Sequence, residues 1–221
     1  MANKPLPVKQ ARSRESLKRL LTAAAQILDE KGLEGATIPR IAARAGLTPG
    51  AVYRRFQDKD ALMRTLSLEV LRSGLEHTEK MLTPEAATGK SLADLARRIV
   101  CTTLESHRKH AGLLRALHDF GKSHPNAAFR QSIDELEVRN FRCVARFVLS
   151  RREEIQHPDP ESAVNFALML VGFTMREILL LDAISRRWNP LLPKDDDALA
   201  RELVRTFLTY LGTGMTENGV A

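Results

Sequence analysis

Apolar residues recur along this chain with the 3.6-residue period of helices, and no segment shows the alternation of a strand. Leu17, Leu20, Leu21, Ala24 and Leu28 form one stripe, which predicts an amphipathic helix over 13–31 closed by Gly32. Ile38, Ile41, Ala42 and Ala45 repeat at helical spacing in a shorter segment, and Val52 and Phe56 fall four apart in the next. A fourth helix is predicted from an Asp58 N-cap through Leu62, Leu66 and Leu71 to about residue 81. Breaks at Thr83-Pro84, Ala87 to Lys90, Lys109 to Gly112, Ser123 to Pro125, His157 to Pro160 and Trp188 to Lys194 then delimit helices. These cover about 91–108, 111–122, 126–154, 161–187 and 195–212. The pattern is all-α with about nine helices, and the polar, Gly-containing ends are expected to be loose.

The segment from Thr37 to Phe56 carries the sharpest local signals. Thr37 is placed to accept from the free N–H groups that open a helix, and Pro39 is tolerated there because those groups have no intrahelical partner. Gly46 suits a helix C-terminus that needs a left-handed residue. Thr48 followed by Pro49 restarts a helix. Two short helices joined by a turn of this length make a helix-turn-helix, whose second helix can lie in the major groove of DNA. Gly50 is costly so early in a helix, by roughly 1 kcal/mol against Ala. Either something approaches its backbone closely, such as a base edge or a phosphate, or it lets two helices pack together.

Charge adds a second line. The chain has 34 Lys and Arg against 27 Asp and Glu, a formal +7. Residues 1–72 hold 14 basic and 7 acidic side chains, whereas 73–221 hold 20 of each. The whole excess therefore coincides with the helix-turn-helix, as a phosphate-binding surface would require. A merely solvated face is the bland alternative.

Thr37, Ile41-Ala42, Ala45-Gly46, Thr48, Gly50, Val52-Tyr53, Phe56, Lys59 and Leu62 resemble the signature of the TetR family of bacterial transcriptional regulators, T-x-x-x-I-A-x-x-A-G-V-S-x-G-x-L-Y-x-x-F-x-s-K-x-x-L. The likeness covers about residues 12–62, with Leu47, Thr48 and Val52 as conservative exchanges. Pro39 is a departure, standing where relatives often carry an Arg, so readout from the first motif helix passes to Arg40 or is lost. The resemblance implies a DNA contact set of Thr37, Arg40, Thr48, Pro49, Gly50, Ala51, Tyr53, Arg54, Arg55 and Lys59. Tyr53 would place its hydroxyl on a phosphate, Lys59 would share one with the start of the fourth helix, and Arg54 or Arg55 would reach bases or phosphates. Arg12 and Arg14 would reach an adjacent groove or belong to a basic arm.

The same resemblance divides the chain into a flexible arm (1–11), a DNA-binding domain (12–60, motif 37–56), a ligand-binding and dimerisation domain (61–212) and a flexible tail (213–221). It implies a homodimer on a palindromic operator in double-stranded DNA and an unidentified small-molecule effector, together a repressor released by its inducer. Met81, Phe120, Phe129, Phe141, Phe166, Met169 and Phe173 are candidate pocket residues, with His118 and Asp119 as polar contacts; ordinary core is the competing reading. Phe166, Leu170 and Phe173, with the i, i+4 stripe Leu199, Leu203, Phe207 and Leu211, are candidates for a four-helix dimer interface or again for core.

Other chemistry is weakly represented. Cys101 and Cys143 are too few and too far apart for a zinc finger and fit a reducing cytoplasm. His107 and His110 lie i, i+3 without an H-E-x-x-H motif, so no metal site is expected. Phosphate loops and nucleophile elbows are missing, no apolar leader opens the chain, and no uncharged apolar run of about 18 residues occurs. The expectation is a cytoplasmic regulator that is not an enzyme and has no catalytic residues, no cofactor and no membrane partner. A helical binding protein that no longer reads DNA, and an enzyme using a His/Cys pair, are the alternatives.

Overall fold

The computed structural model describes residues 8–122, 124–180 and 189–213. Among these are ten α-helices and no strand. In chain order they are α1 (Val8–Gly35), α2 (Ile38–Arg44), α3 (Pro49–Tyr53), α4 (Lys59–Met81), α5 (Pro84–Ala87), α6 (Leu92–Lys109), α7 (Ala111–Lys122), α8 (Ala127–Leu149), α9 (Pro160–Leu180) and α10 (Asp196–Tyr210). The all-α expectation holds, with the four-residue α5 as the addition to the nine predicted.

Several boundaries differ for local reasons. The helix expected from 13 already begins at Val8, so Arg12 and Arg14 lie within it; residues 1–7 and 214–221 of the expected arm and tail are outside the described residues. Gly32 breaks α1 with a φ of 64°, as its position suggested, yet the helix resumes to Gly35. The helix expected to reach 154 stops at Leu149, and Arg152–Glu154 forms a separate 3₁₀ turn. Positions 181–187 of the helix expected over 161–187 are also outside the described residues.

The chain folds as two compact units, one running to Val70 and including Gly112–Gln131, the other comprising Leu71–Ala111 and the chain from Ser132 onward. In the first, Leu20, Ala24, Ile27 and Leu28 of α1 meet Ile41 and Ala42 of α2, Val52, Phe56, and Leu62, Met63 and Leu66 of α4. Leu113 and Ala116 of α7 complete this core. The start of α7 is bound to α1 by two features. The Asp29 carboxylate accepts from the Leu113 N–H at 2.9 Å, capping the helix from outside. At Gly112, a Cβ would lie only 2.1 Å from the Asp29 carbonyl oxygen, so the backbones meet where no other residue fits.

The second unit packs α6, α8, α9 and α10 around Val100, Leu104, Val148, Val164, Val171, Met175, Leu203 and Phe207. Reciprocal bonds between Ser91 and Asp94 cap α6, and Asp195 caps α10 through the Ala198 N–H at 2.7 Å. α9 is apolar enough by length and composition to cross a bilayer, with a mean hydropathy of 1.6 in its richest window. Its inner side (Ala163, Val164, Ala167, Val171, Met175) lies in the core, while Phe166, Met169, Leu170 and Phe173 face outward.

Gly112→Ala should destabilise the first unit by roughly 1–3 kcal/mol, the usual cost of forced overpacking. Urea unfolding followed by circular dichroism measures this, and an unchanged midpoint would contradict the close contact with Asp29.

Candidate nucleic-acid interface

α3 has only five residues, too few for a helix to persist alone in water. Its neighbours hold it. The Thr48 hydroxyl accepts from the Ala51 N–H at 3.2 Å, and Pro49 supplies a pre-set φ at the first position. Val52 is fully buried and Phe56 nearly so, which anchors one side of the segment in the first-unit core. The connection from α2 turns at Gly46, whose φ of 66° is the left-handed conformation anticipated there; the Leu47 N–H then bonds to the Ala42 carbonyl at 2.9 Å.

The opposite side of α3 faces solvent. Thr48, Pro49, Gly50, Tyr53, Arg54 and Arg55 are all exposed, with Tyr53 at 55%, and Ala51 is half-buried. A Cβ on Gly50 would meet nothing nearer than the Arg54 guanidinium at 4.0 Å. Close helix packing therefore does not explain this glycine.

The expected contact residues separate into two groups. The Arg54 side chain is exposed and makes no hydrogen bond or ion pair with the described residues. Thr37 is exposed, and its hydroxyl does not cap α2 as anticipated. The reason is Pro39, which has no N–H to offer at the position a capping side chain commonly reaches; the Thr37 carbonyl still accepts from Ile41. By contrast, Arg40 donates to the Gly35 carbonyl. Arg55 donates to both the carbonyl and the hydroxyl of Ser13, at 3.0 Å each, fastening the end of α3 to α1. Lys59 reaches the Leu33 carbonyl at 2.6 Å, in the turn of α1 that follows Gly32. The negative end of that helix thus offsets the unfavourable position of a cation in the first turn of α4.

Three further contacts hold the helix-turn-helix, and sequence inspection finds only one of them. Arg44 forms a two-pronged pair with Glu30 at 2.7 and 2.8 Å, joining α2 to α1. That bond to Arg44 is the main cause holding the Glu30 carboxyl below its usual range. Asp58 caps α4 through the Ala61 N–H at 2.7 Å. Asp60, one turn into α4, lies 2.8 Å from Nε2 of the buried His124 and accepts from Arg64 Nε at 2.7 Å. The Asn126 N–H donates to His124 Nδ1, so the proton of the neutral ring lies on Nε2 and points at Asp60. Burial alone would raise the Asp60 carboxyl, but the bonds from His124 and Arg64 outweigh it and leave it lowered. Of the three, only the Asp58 cap had a sequence signal; Arg44 with Glu30 and Asp60 with His124 are joined across gaps that no local spacing reveals.

The candidate pocket residues fall in both units. Phe120 and Phe129 enclose His124, with ring centroids 4.9 and 4.8 Å from the imidazole, and belong to the first unit. Met81, Phe166, Met169 and Phe173 are exposed, and Phe141 is half-buried in the second unit. The candidate dimer residues divide between buried and exposed positions. Leu199, Leu203, Phe207 and Leu211 are buried within their own subunit against α6 and α9, because the apolar stripe of α10 completes that core. Phe166, Leu170 and Phe173 remain at the surface, and Tyr210 lies 5.2 Å from the Phe166 ring. Among the described residues no three metal-ligating side chains come together.

A capped five-residue helix held outward within the positively charged N-terminal third, after a turn from α2, has the arrangement of a helix-turn-helix. Residues 20–66 match the family model for bacterial regulatory proteins of the tetR family. The HTH-type transcriptional regulator BetI of Stenotrophomonas maltophilia is 37% identical over 82 residues, which span 37% of this chain and 40% of that one. BetI of Escherichia coli O157:H7 is 24% identical over 197 residues, covering 87% and 91% of the two chains. A TetR-family regulator from Mesorhizobium loti shares the fold with a TM-score of 0.67 at 20% identity, over 91% of this chain and 97% of that one. Residues 20–66 thus form a tetR-type DNA-binding domain, and over most of its length the chain is similar to TetR-family transcriptional regulators.

Two measurements probe the site itself. Gly50→Ala should fold normally and gain about 0.4–1 kcal/mol from reduced unfolded-state entropy; a loss of stability would mean that Gly50 is packed after all. Because the folded Asp60 pKa is depressed, its contribution to stability is present above the unfolded value and fades as pH falls through the folded one. The stability difference between wild type and Asp60→Asn should therefore shrink below about pH 4, and a constant gap in acid titrations would argue against the His124–Asp60 clamp.

Proposed function

We infer that the protein binds a palindromic operator as a homodimer, represses transcription there, and is released by a small-molecule effector held in its second unit. It acts in the cytoplasm on double-stranded DNA. The observation that carries the reading is the two-sidedness of α3, with Val52 fully buried and Tyr53 and Gly50 open to solvent. Thr37, Thr48, Tyr53 and Arg54 make the working contacts. The two threonine hydroxyls and Tyr53 suit phosphate oxygens, and Arg54 suits a base edge or phosphate. Pro49, Gly50 and Ala51 allow close approach to the groove floor. Arg55 and Lys59 act mainly by holding α3 and α4 in place, with their remaining N–H groups toward phosphate.

Dimerisation follows from the size of the reading head, since one five-residue helix offers too few contacts to select a site. Two copies on a palindrome would sit about 34–36 Å apart or at a multiple of that distance. The outward face of α9, with Phe166, Met169, Leu170 and Phe173 beside Tyr210, is the contiguous apolar surface suited to a second copy.

Capture of genomic fragments by the purified protein, followed by footprinting, tests the central reading; a two-fold symmetric site is expected, and equal affinity for random DNA would overturn it. Tyr53→Ala and Arg54→Ala should each weaken operator binding tenfold or more without altering helicity. If Tyr53 and Arg54 each neutralise or bind one phosphate per subunit, the Arg54 change should also flatten the salt dependence, by a slope of about 0.9 per lost ionic contact. Phe173→Glu should shift the protein toward monomer in sedimentation equilibrium; an unaltered dimer would move the interface elsewhere.

A further inference from the structure

Within the second unit, α6 and α9 share a buried apolar contact that includes Leu104, Met175 and Leu179. Beside it the chemistry changes. His107 lies one turn beyond Leu104 and is half-buried, its Nδ1 2.8 Å from the Thr103 carbonyl. Arg176 follows Met175 on α9 and is also half-buried. Its Nε–H is buried and has no acceptor. No carboxylate among the described residues pairs with its guanidinium, which instead lies 4.8 Å from the centre of the Phe173 ring. The cation is close enough to be felt at His107: burial first, and the Arg176 charge after it, hold that imidazole below its ordinary range.

Other arginines of this unit are provided for. Arg108 grips Asp196, Arg139 pairs with Glu79, Arg205 with Glu202, and Arg151 donates to the carbonyls of Lys90 and Ala87. Arg176 differs in that a buried donor of its guanidinium lacks an acceptor, which calls for a partner. Nε–H and the neighbouring Nη–H form a side-on fork matched to the two oxygens of a carboxylate or phosphoryl group. A cationic ligand would meet like charge there, and a wholly apolar one would leave the fork unfilled.

We propose that Arg176, with His107 beside it, anchors the anionic group of a small amphipathic ligand, a carboxylate or phosphate monoester whose apolar part lies along the α6–α9 contact. The regulatory meaning of this site rests on the effector reading given above; the binding itself does not. Calorimetric titration of the full-length protein without DNA tests it, with decanoate, decyl phosphate and decyltrimethylammonium as probes. At least one of the two anions should bind saturably at one per chain, the ammonium should not, and the preferred anion tells carboxylate from phosphoryl. Arg176→Gln should weaken that binding tenfold or more. Arg176→Lys, which keeps the charge but loses the fork, should fall between, and it serves if the Gln variant fails to fold. Absence of binding by both anions, equal binding of the ammonium, or wild-type affinity in a folded Arg176 variant would each overturn the proposal. Operator affinity measured with and without the bound anion is the separate arm. If it is unchanged while Arg176-dependent binding stands, the site is upheld and its regulatory reading fails; if a non-anionic compound releases DNA and neither anion binds, the reverse holds.

Discussion

Burial of Val52 and Phe56 is the constraint on which the DNA-binding surface rests. A helix as short as α3 has no stability of its own, because nucleation fixes several residues before one backbone bond is gained. It exists because its inner side belongs to a core built by α1, α2 and α4. The Thr48 cap and the Pro49 φ constraint reduce what that core must supply. Binding chemistry on the outer side is thereby separated from folding on the inner side. Polar and small residues occupy the former without cost to the latter, and this is why Gly50 sits in open space.

Around the head, cations act as struts. Arg55 ties the end of α3 to Ser13, Lys59 ties the start of α4 to Leu33, and Arg44 ties α2 to Glu30. Each of the first two ends on a backbone carbonyl, an acceptor that cannot be titrated away. The Asp60–His124 contact is of another kind, since one partner is a carboxylate and the other a buried ring with both nitrogens engaged. Together with Gly112 and Asp29 it makes α7 and the segment after it part of the first unit.

What could be read from the sequence was local. The 3.6-residue repeat of Leu17 to Leu28, the Thr48-Pro49 start, the Gly46 stop and the Asp58 cap depend on residues a few positions apart, and each is found where expected. Partners across the chain were not legible. An apolar stripe such as Leu199 to Leu211 states that one face is covered but not by what, and its cover here is α6 and α9 of the same chain. Leu113 meeting Asp29, 84 positions away, leaves no periodic trace. Thr37 had the right residue for a cap, but the proline two positions on removed an N–H it would have served.

The struts also separate two quantities that a count of basic residues merges. The N-terminal third still projects its full positive field, and that field governs how quickly a polyanion is drawn in from a distance. Fewer of those groups are at liberty to displace condensed ions once contact is made, because Arg44 is already neutralised by Glu30 and Arg55 and Lys59 have some of their donors engaged in the fold. Capture should thus be fast relative to the tenacity of the complex, a combination that favours scanning along many sequences before one is retained.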